Sequence, residues 1–201
     1  MGLYRADSGE IRLRGENWKA ADARDALRSG IIYVPEERKR QGFVLEHGVK
    51  ESISIGFLES LARFGLIRSR AEKEKVKDAV TRFRIKTASP GQRIGTLSGG
   101  NQQKALIARW LERNPEIIIF HEPTRGVDVG AKAEIYKIIR QLVQAGKGIL
   151  LISSDLPELL ALSDRIMVMH RGKAVAEMGH EEATQERILV AASGLSQEST
   201  P

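Results

Sequence analysis

Short apolar runs alternate with amphipathic helical segments through most of the chain, and this alternation constrains the fold more than any other feature. Four runs are predicted strands, at residues 31–34, 117–120, 149–153 and 165–170. Strands that are apolar along both faces are typical of parallel sheets, because helices then cover both sides. The sequence therefore predicts an α/β domain around a parallel sheet, extending over residues 1–192, with a flexible tail at 193–201.

The helical segments begin at recognisable capping residues. Ser98 is predicted to cap a helix that ends near Glu112, and Asp128 to cap the helix that follows the second strand. Residues 46–86 read as helical, with a capping box predicted at Ser69 and Glu72. We therefore expect a helical subdomain, at about residues 44–96, inserted into the α/β body.

Composition limits the possible functions. The 201 residues include no cysteine, which excludes disulfides and thiolate metal sites. The net charge is +6, and nine Lys or Arg face three Asp or Glu between positions 63 and 86. A basic helix can bind nucleic acid or anionic lipid, but we interpret this one as a solvated helical face. No base-stacking pattern accompanies it, so we expect no nucleic-acid partner.

The segment LSGGNQQK, residues 97–104, places a glycine turn at a helix start. We define the glycine turn as Ser98, Gly99, Gly100 and Asn101. Backbone amides at a helix N-terminus lack partners within the helix, and the helix dipole favours negative charge there. Residues without a Cβ atom also let phosphate approach the backbone closely. The alternative is an ordinary serine N-cap followed by a glycine-rich entry.

The segment IIIFHEPTRGVDVG, residues 117–130, delivers an acidic side chain to the end of a buried strand. Glu122 stands where a carboxylate can activate water beside a phosphate group. The alternative reading of Glu122 is a structural ion pair at a strand end.

These segments, together with YVPEERKRQG at 33–42 and LISSDLPELLALSDRI at 151–166, resemble the ATP-binding subunits of bacterial ABC sugar importers. The resemblance is to the second cassette of tandem-cassette proteins serving ribose, galactose and xylose systems. It covers nearly the whole chain and implies a partial P-loop NTPase sheet of the ABC ATPase type. It also implies ATP and Mg²⁺ as ligands, a second cassette bound head to tail, and transmembrane permease subunits at the inner face of the cell membrane.

The resemblance assigns roles residue by residue. The glycine turn would hold the γ-phosphate of ATP bound to a partner cassette, with Asn101 toward the ribose. Glu122 matches the catalytic base. Asp128 matches the D-loop aspartate that communicates across the dimer, beside its simpler role as a helix cap. Ser154 and Glu36 align with the family's switch histidine and Q-loop glutamine, so we place Ser154 with the catalytic residues and Glu36 with the nucleotide-binding ones.

Several departures from the family pattern lower the expected turnover. His121 stands where the family has the aspartate that orients the magnesium shell, and neutral imidazole is a poor ligand for Mg²⁺. Serine at 154 cannot become cationic as histidine does. Glu36 adds negative charge near a phosphate site unless a metal bridges them. We predict no metal-ligating set among these residues.

No segment of the chain has the G-x-x-x-x-G-K-[S/T] pattern of a phosphate loop. By the resemblance we expect a chain truncated before that loop, with exposed sheet edges, and negligible ATPase activity when alone. The function implied is coupling of ATP binding and hydrolysis to carbohydrate uptake. Two alternatives remain: a non-catalytic module that supplies its glycine turn to a partner, and a nucleic-acid-associated ABC ATPase.

Overall fold

The computed structural model describes residues 1–4 and 6–194, so the predicted tail lies almost entirely outside the described residues. The chain divides into two compact units, Met1–Leu150 and Leu151–Pro201. The strands are β1 Arg12–Leu13, β2 Glu16–Asn17, β3 Ile31–Val34, β4 Ala62–Arg63, β5 Leu66–Ile67, β6 Ile117–His121, β7 Gly148–Ile152, β8 Arg165–His170 and β9 Lys173–Gly179. The α-helices are α1 Ala23–Arg28, α2 Val49–Ser54, α3 Leu58–Leu61, α4 Ser69–Arg82, α5 Gly99–Leu111, α6 Val129–Gln144, α7 Leu156–Leu162 and α8 Gln185–Ser193.

The first unit is built on a sheet in the order β3-β6-β7. Strands β3 and β6 are parallel, with Ile31 opposite Ile117 and Val34 opposite Phe120. Ile118 and Phe120 have no exposed surface. The α/β prediction is confirmed. Because parallel strands end at the same edge, the residues that follow β3 and β6 are brought together there.

Helices α5 and α6 begin as predicted. The Ser98 hydroxyl accepts a hydrogen bond from the Asn101 amide, and the Asp128 carboxylate accepts one from the Ala131 amide. Each side chain satisfies a donor that a helix start otherwise leaves open. Both capping predictions are confirmed.

The region 44–96 is less regular than predicted. Residues 46–86 form three helices interrupted by the hairpin β4–β5, whose turn residues Phe64 and Gly65 both have positive φ, 51° and 78°. The predicted capping box is wrong, because α4 starts at Ser69 itself and Arg68 takes the N-cap position without a side-chain bond. Glu72 points inward instead and accepts hydrogen bonds from the Ser54 hydroxyl at 2.7 Å and the Lys50 amine at 3.2 Å.

The second unit contains the antiparallel pair β8–β9 and a small core. Ile166, Val168 and Met178 from this hairpin pack with Ile188 of α8. Polar caps again start the helices, with Asp155 capping α7 and Thr184 capping α8. The predicted strand at 165–170 is confirmed.

Some apolar side chains remain uncovered. At β7, the last strand in the order of the three-stranded sheet, Leu150 is 54% exposed and Ile152 43%. Such exposure along an edge strand agrees with the expected uncovered sheet edge. Within the described residues, no helix combines the length and the apolar character needed to cross a bilayer.

Candidate nucleotide-facing site

The glycine turn forms the start of α5, with Ser98 exposed and Gly100 buried, and its two polar side chains bond to each other. The Ser98 hydroxyl accepts from the Asn101 side-chain nitrogen at 2.9 Å, and the Asn101 Oδ1 accepts from the Lys86 backbone amide at 2.9 Å. Both the nitrogen and the oxygen of the Asn101 side-chain amide are therefore hydrogen-bonded within the chain. The N-cap interpretation of Ser98 holds whether or not a ligand reaches the turn.

The two glycines of the turn have a packing role that the sequence did not indicate. A Cβ atom on Gly100 would lie 2.3 Å from the Ala131 Cβ of α6. A Cβ atom on Gly99 would lie 2.6 Å from both the Gly126 carbonyl oxygen and a terminal nitrogen of Arg38. Phosphate approach is therefore not required to explain these glycines. They also allow α5 to start against the loop that precedes α6.

Glu122 follows directly after β6 and has a positive φ of 48°. Left-handed backbone is uncommon for residues other than glycine, and it concentrates at functional sites. The following residues Pro123 and Thr124 are buried, whereas Glu122 is half-buried. The structure thus places the predicted base at the carboxyl end of a central strand, on left-handed backbone that is followed by two buried residues.

A polar network links the ends of β3 and β6. The Tyr33 hydroxyl and His121 Nδ1 are hydrogen-bonded at 2.8 Å, and His121 Nε2 lies 3.6 Å from the Glu36 carboxylate. The same carboxylate forms an ion pair with the Arg125 guanidinium. Arg125 therefore neutralises the negative charge at Glu36, a role for which the sequence suggested a bridging metal.

These residues do not fit Mg²⁺. Magnesium requires hard oxygen ligands in near-octahedral geometry, whereas His121 presents nitrogen and bonds to Tyr33. The Glu36 carboxylate is already paired with Arg125. Across residues 1–4 and 6–194 no group of three or more His, Asp or Glu side chains is arranged to hold a metal ion.

The predicted site residues fall into separate groups. The glycine turn meets the loop before Asp128, as the Gly99 contact with Gly126 shows, and Glu36 meets the end of β6 at His121. Asp128 itself is exposed, and its Oδ1 accepts from the Ala131 amide at 2.9 Å. Ser154 is exposed, follows β7 and belongs to the second compact unit.

Three residues of this region were missed by sequence reasoning: Tyr33, Arg38 and Arg125. Arg38 and Arg125 line an open cavity of about 340 Å³ together with Glu36, Glu37, Lys39 and Arg40. For Arg38 the signal was the charged run EERKR after β3, which reads as a polar turn. Their partners lie more than 80 positions away in the chain, so local patterns could not identify them.

Comparison with known proteins gives the family. A family profile described as ABC transporter matches residues 1–125. The ribose import ATP-binding protein RbsA of Caldanaerobacter subterraneus subsp. tengcongensis is 47% identical over 195 residues, covering 96% of this chain and 39% of that protein. RbsA of Bacillus subtilis is 44% identical over 194 residues, with 96% and 39% covered. The chain thus spans about two fifths of the length of the relatives it matches.

Solved structures agree on the fold. A nucleotide-free ATP-binding cassette from an ABC transporter superposes with a TM-score of 0.74 at 23% identity, covering all of this chain and 80% of that one. A dimeric ATP-binding cassette in a post-hydrolysis state, bound to ADP and Pi, gives 0.73 at 19% identity, covering 89% and 76%. The parallel sheet and the helices described above form an ABC ATPase fold, and the chain belongs to the ABC transporter family.

Proposed function

We propose that this chain is a nucleotide-binding cassette of a sugar-import ABC transporter, corresponding to the second cassette of a tandem pair. In this role it couples ATP binding and hydrolysis to carbohydrate uptake through a membrane permease, from the cytoplasmic side. The named relatives that support the proposal are ribose import ATP-binding proteins. The departures at Glu36 and Ser154 support the second-cassette assignment, because both resemble the pattern of second cassettes in this group.

One observation carries the proposal: the glycine turn is exposed at Ser98 and sits against the loop that leads to Asp128. Two capped helix starts therefore present amide groups and dipole ends at one edge of the first unit. Such an edge suits the terminal phosphate of a nucleotide held by a second cassette. The chain itself has no phosphate loop that would hold the nucleotide in cis.

The proposed chemistry is hydrolysis of ATP to ADP and phosphate. Glu122, directly after β6, polarises the attacking water at a nucleotide bound beside that strand, and the glycine turn contributes donors to the γ-phosphate of a nucleotide held by the second cassette. Ser154 follows β7, and the resemblance gives it the position of the family's switch residue, with a neutral hydroxyl in place of an imidazole. No step is assigned to a metal, because His121 and Glu36 are committed to the network with Tyr33 and Arg125.

The test is stimulation of a partner. The purified 201-residue chain should hydrolyse negligible ATP alone and should stimulate a phosphate-loop-containing cassette of a sugar importer. Ser98→Arg should abolish the stimulation, since the long side chain occupies the approach to the turn. Ser89→Arg, at another exposed loop serine, is the matched control and should retain it. Robust turnover by the isolated chain, lost in Glu122→Gln, would refute the trans arrangement.

The polar network favours a second candidate function, a non-catalytic assembly module. Tyr33, His121, Glu36 and Arg125 interact with one another instead of leaving oxygen ligands available, so the chain could stabilise a cassette pair without hydrolysing ATP. The Glu122→Gln variant separates the two functions. A catalytic role predicts that stimulation falls by ~100-fold or more when the general base is removed. An assembly role predicts no change in stimulation and complete dependence on Ser98.

A further inference from the structure

Arg38 lies in a charged run after β3, yet its guanidinium bonds to residues far along the chain, in α5 and in the loop after β6. One terminal nitrogen donates to the Arg125 carbonyl at 2.7 Å and the other to the Gly126 carbonyl at 3.1 Å. Its Nε donates to the Gln102 side-chain carbonyl at 3.3 Å. One guanidinium thus binds the loop after β6 and the first turn of α5 together.

The environment of Arg38 makes these bonds strong. The side chain is half-buried, and this desolvation lowers the pKa of its guanidinium below its usual range. At neutral pH the group stays charged, and hydrogen bonds from a charged donor are roughly twice as strong as neutral ones. The fork of an arginine also suits two neighbouring carbonyls at once, which a lysine cannot match.

The partner Gln102 extends the connection into the helical region. Gln102 is 2% exposed, and its side-chain nitrogen donates to the Ile94 carbonyl at 3.1 Å. Its own amide donates to the Ser98 carbonyl at 2.9 Å, which closes the first turn of α5. Arg38 therefore reaches the residue that anchors the glycine turn to the chain before it.

The glycines complete the fit. Gly99 is close enough to Arg38 and Gly126 that a Cβ atom would lie 2.6 Å from each. Gly126 has a positive φ of 64°, which turns its carbonyl toward the guanidinium without the strain that a side chain would bring. The ion pair between Arg125 and Glu36 forms a second connection between the segment that carries Arg38 and the loop after β6.

We infer that Arg38 is a positioning residue that fixes the glycine turn against the loop 125–128, so that the two nucleotide-facing segments move as one. This inference rests on the proposed function only in what the glycine turn binds. The link between the turn and the loop 125–128 rests on the Arg38 contacts alone. A change in one segment is then transmitted to the other through a single guanidinium.

Hydrogen exchange of the purified chain tests the link. Two amides report on the two segments: Gln102, bonded to Ser98, and Lys132, bonded to Asp128. Arg38→Gln should speed exchange at both by ~10-fold, the loss expected when charge-assisted bonds disappear. Arg38→Lys should not rescue the protection. Arg40→Gln is the matched control, because the Arg40 side chain is 83% exposed and its ion pair, at 3.5 Å, is with Glu37, which belongs to neither segment; it should change neither amide.

A third amide separates positioning from general destabilisation. Ser52 donates to the Gly48 carbonyl in α2 and contacts neither segment. Its exchange should be unchanged in Arg38→Gln. The inference would be overturned if exchange rose at only one of the Gln102 and Lys132 amides, or at neither of them. It would also be overturned if exchange at the Ser52 amide rose by the same factor.

The stimulation assay keeps this inference distinct from the proposed function. Arg38→Gln should raise the concentration of chain needed for half-maximal stimulation by ~10-fold, while Arg40→Gln leaves it unchanged. If both amides lose protection but stimulation is unaffected, the link is supported and the nucleotide role of the turn is refuted. If protection is unaffected, the link is refuted whatever the stimulation shows.

Discussion

Replacing Gly100 by alanine is the sharpest test of how the glycine turn is packed. The added Cβ would lie 2.3 Å from the Ala131 Cβ, whereas carbon atoms in contact are normally about 3.5–4.0 Å apart. Helix α5 or α6 must therefore shift by about 1.2–1.7 Å, and overpacking of this kind costs ~1–3 kcal/mol. Alanine returns up to ~1 kcal/mol through its better helix propensity. We expect a net loss of ~1–2 kcal/mol in the free energy of unfolding.

Urea unfolding followed by the fluorescence of Trp110, which lies on α5, measures this loss. Gly91→Ala is the control, because no atom lies within 4 Å of its added Cβ, and it should be neutral or slightly stabilising. Combining Gly100→Ala with Ala131→Gly removes the opposing methyl group and should recover ~1 kcal/mol relative to additivity. Wild-type stability in Gly100→Ala, or strict additivity in the double variant, would refute the close packing of the two helices.

Three further predictions concern buried charges. Glu72→Ala should cost ~2 kcal/mol of unfolding free energy, because it removes the acceptor for the buried Ser54 hydroxyl and the partly buried Lys50 amine, whereas Glu74→Ala on the exposed face should cost under ~0.5 kcal/mol; equal urea midpoints would contradict this. The hydrogen bond from Lys104 lowers the pKa of Glu134 below 4.5, so the stabilisation from this pair is present above pH 4.5 and is lost as the pH falls through the lower pKa of the folded state. Glu134→Gln should therefore flatten the dependence of stability on pH in that range. An unchanged dependence would contradict the pairing. Arg109→Ala should cost ~3 kcal/mol or more by thermal unfolding, because the buried guanidinium donates to the Ser52 and Gly42 carbonyls and covers the Phe43 ring; a loss below ~1 kcal/mol would contradict that account.

Sequence reasoning succeeded where a local signal determines the structure. Ser98 and Asp128 cap their helices because a short polar side chain reaches an amide two or three residues ahead, which depends only on neighbouring positions. The strand that ends before Glu122 was predicted by its apolar run alone. The alternation of these elements was sufficient to predict the α/β class.

Sequence reasoning failed where distant residues decide the conformation. Glu72 has the spacing of a capping box, but Ser54 and Lys50 draw its carboxylate inward. The turn at Phe64 and Gly65 interrupts a segment whose composition favours helix, and a two-residue hairpin turn leaves almost no signal in the helical period.

At the site, the roles of glycine and arginine depend on tertiary contacts. The Gly100 contact with Ala131 joins positions on two different helices, and the Arg38 bonds reach residues 87 and 88 positions away. Motif matching explained both glycines by ligand approach and left Arg38 in a polar turn. Neither assignment could be corrected without the fold.

The central claim is that the glycine turn faces a nucleotide held by another cassette, and photolabelling tests it directly. An ATP analogue with an azidoanilide on its γ-phosphate should label the peptide containing Ser98 and Gln102 only when a phosphate-loop-containing cassette is present. Labelling of that peptide in the isolated chain, or labelling confined to other peptides in the mixture, would contradict the account.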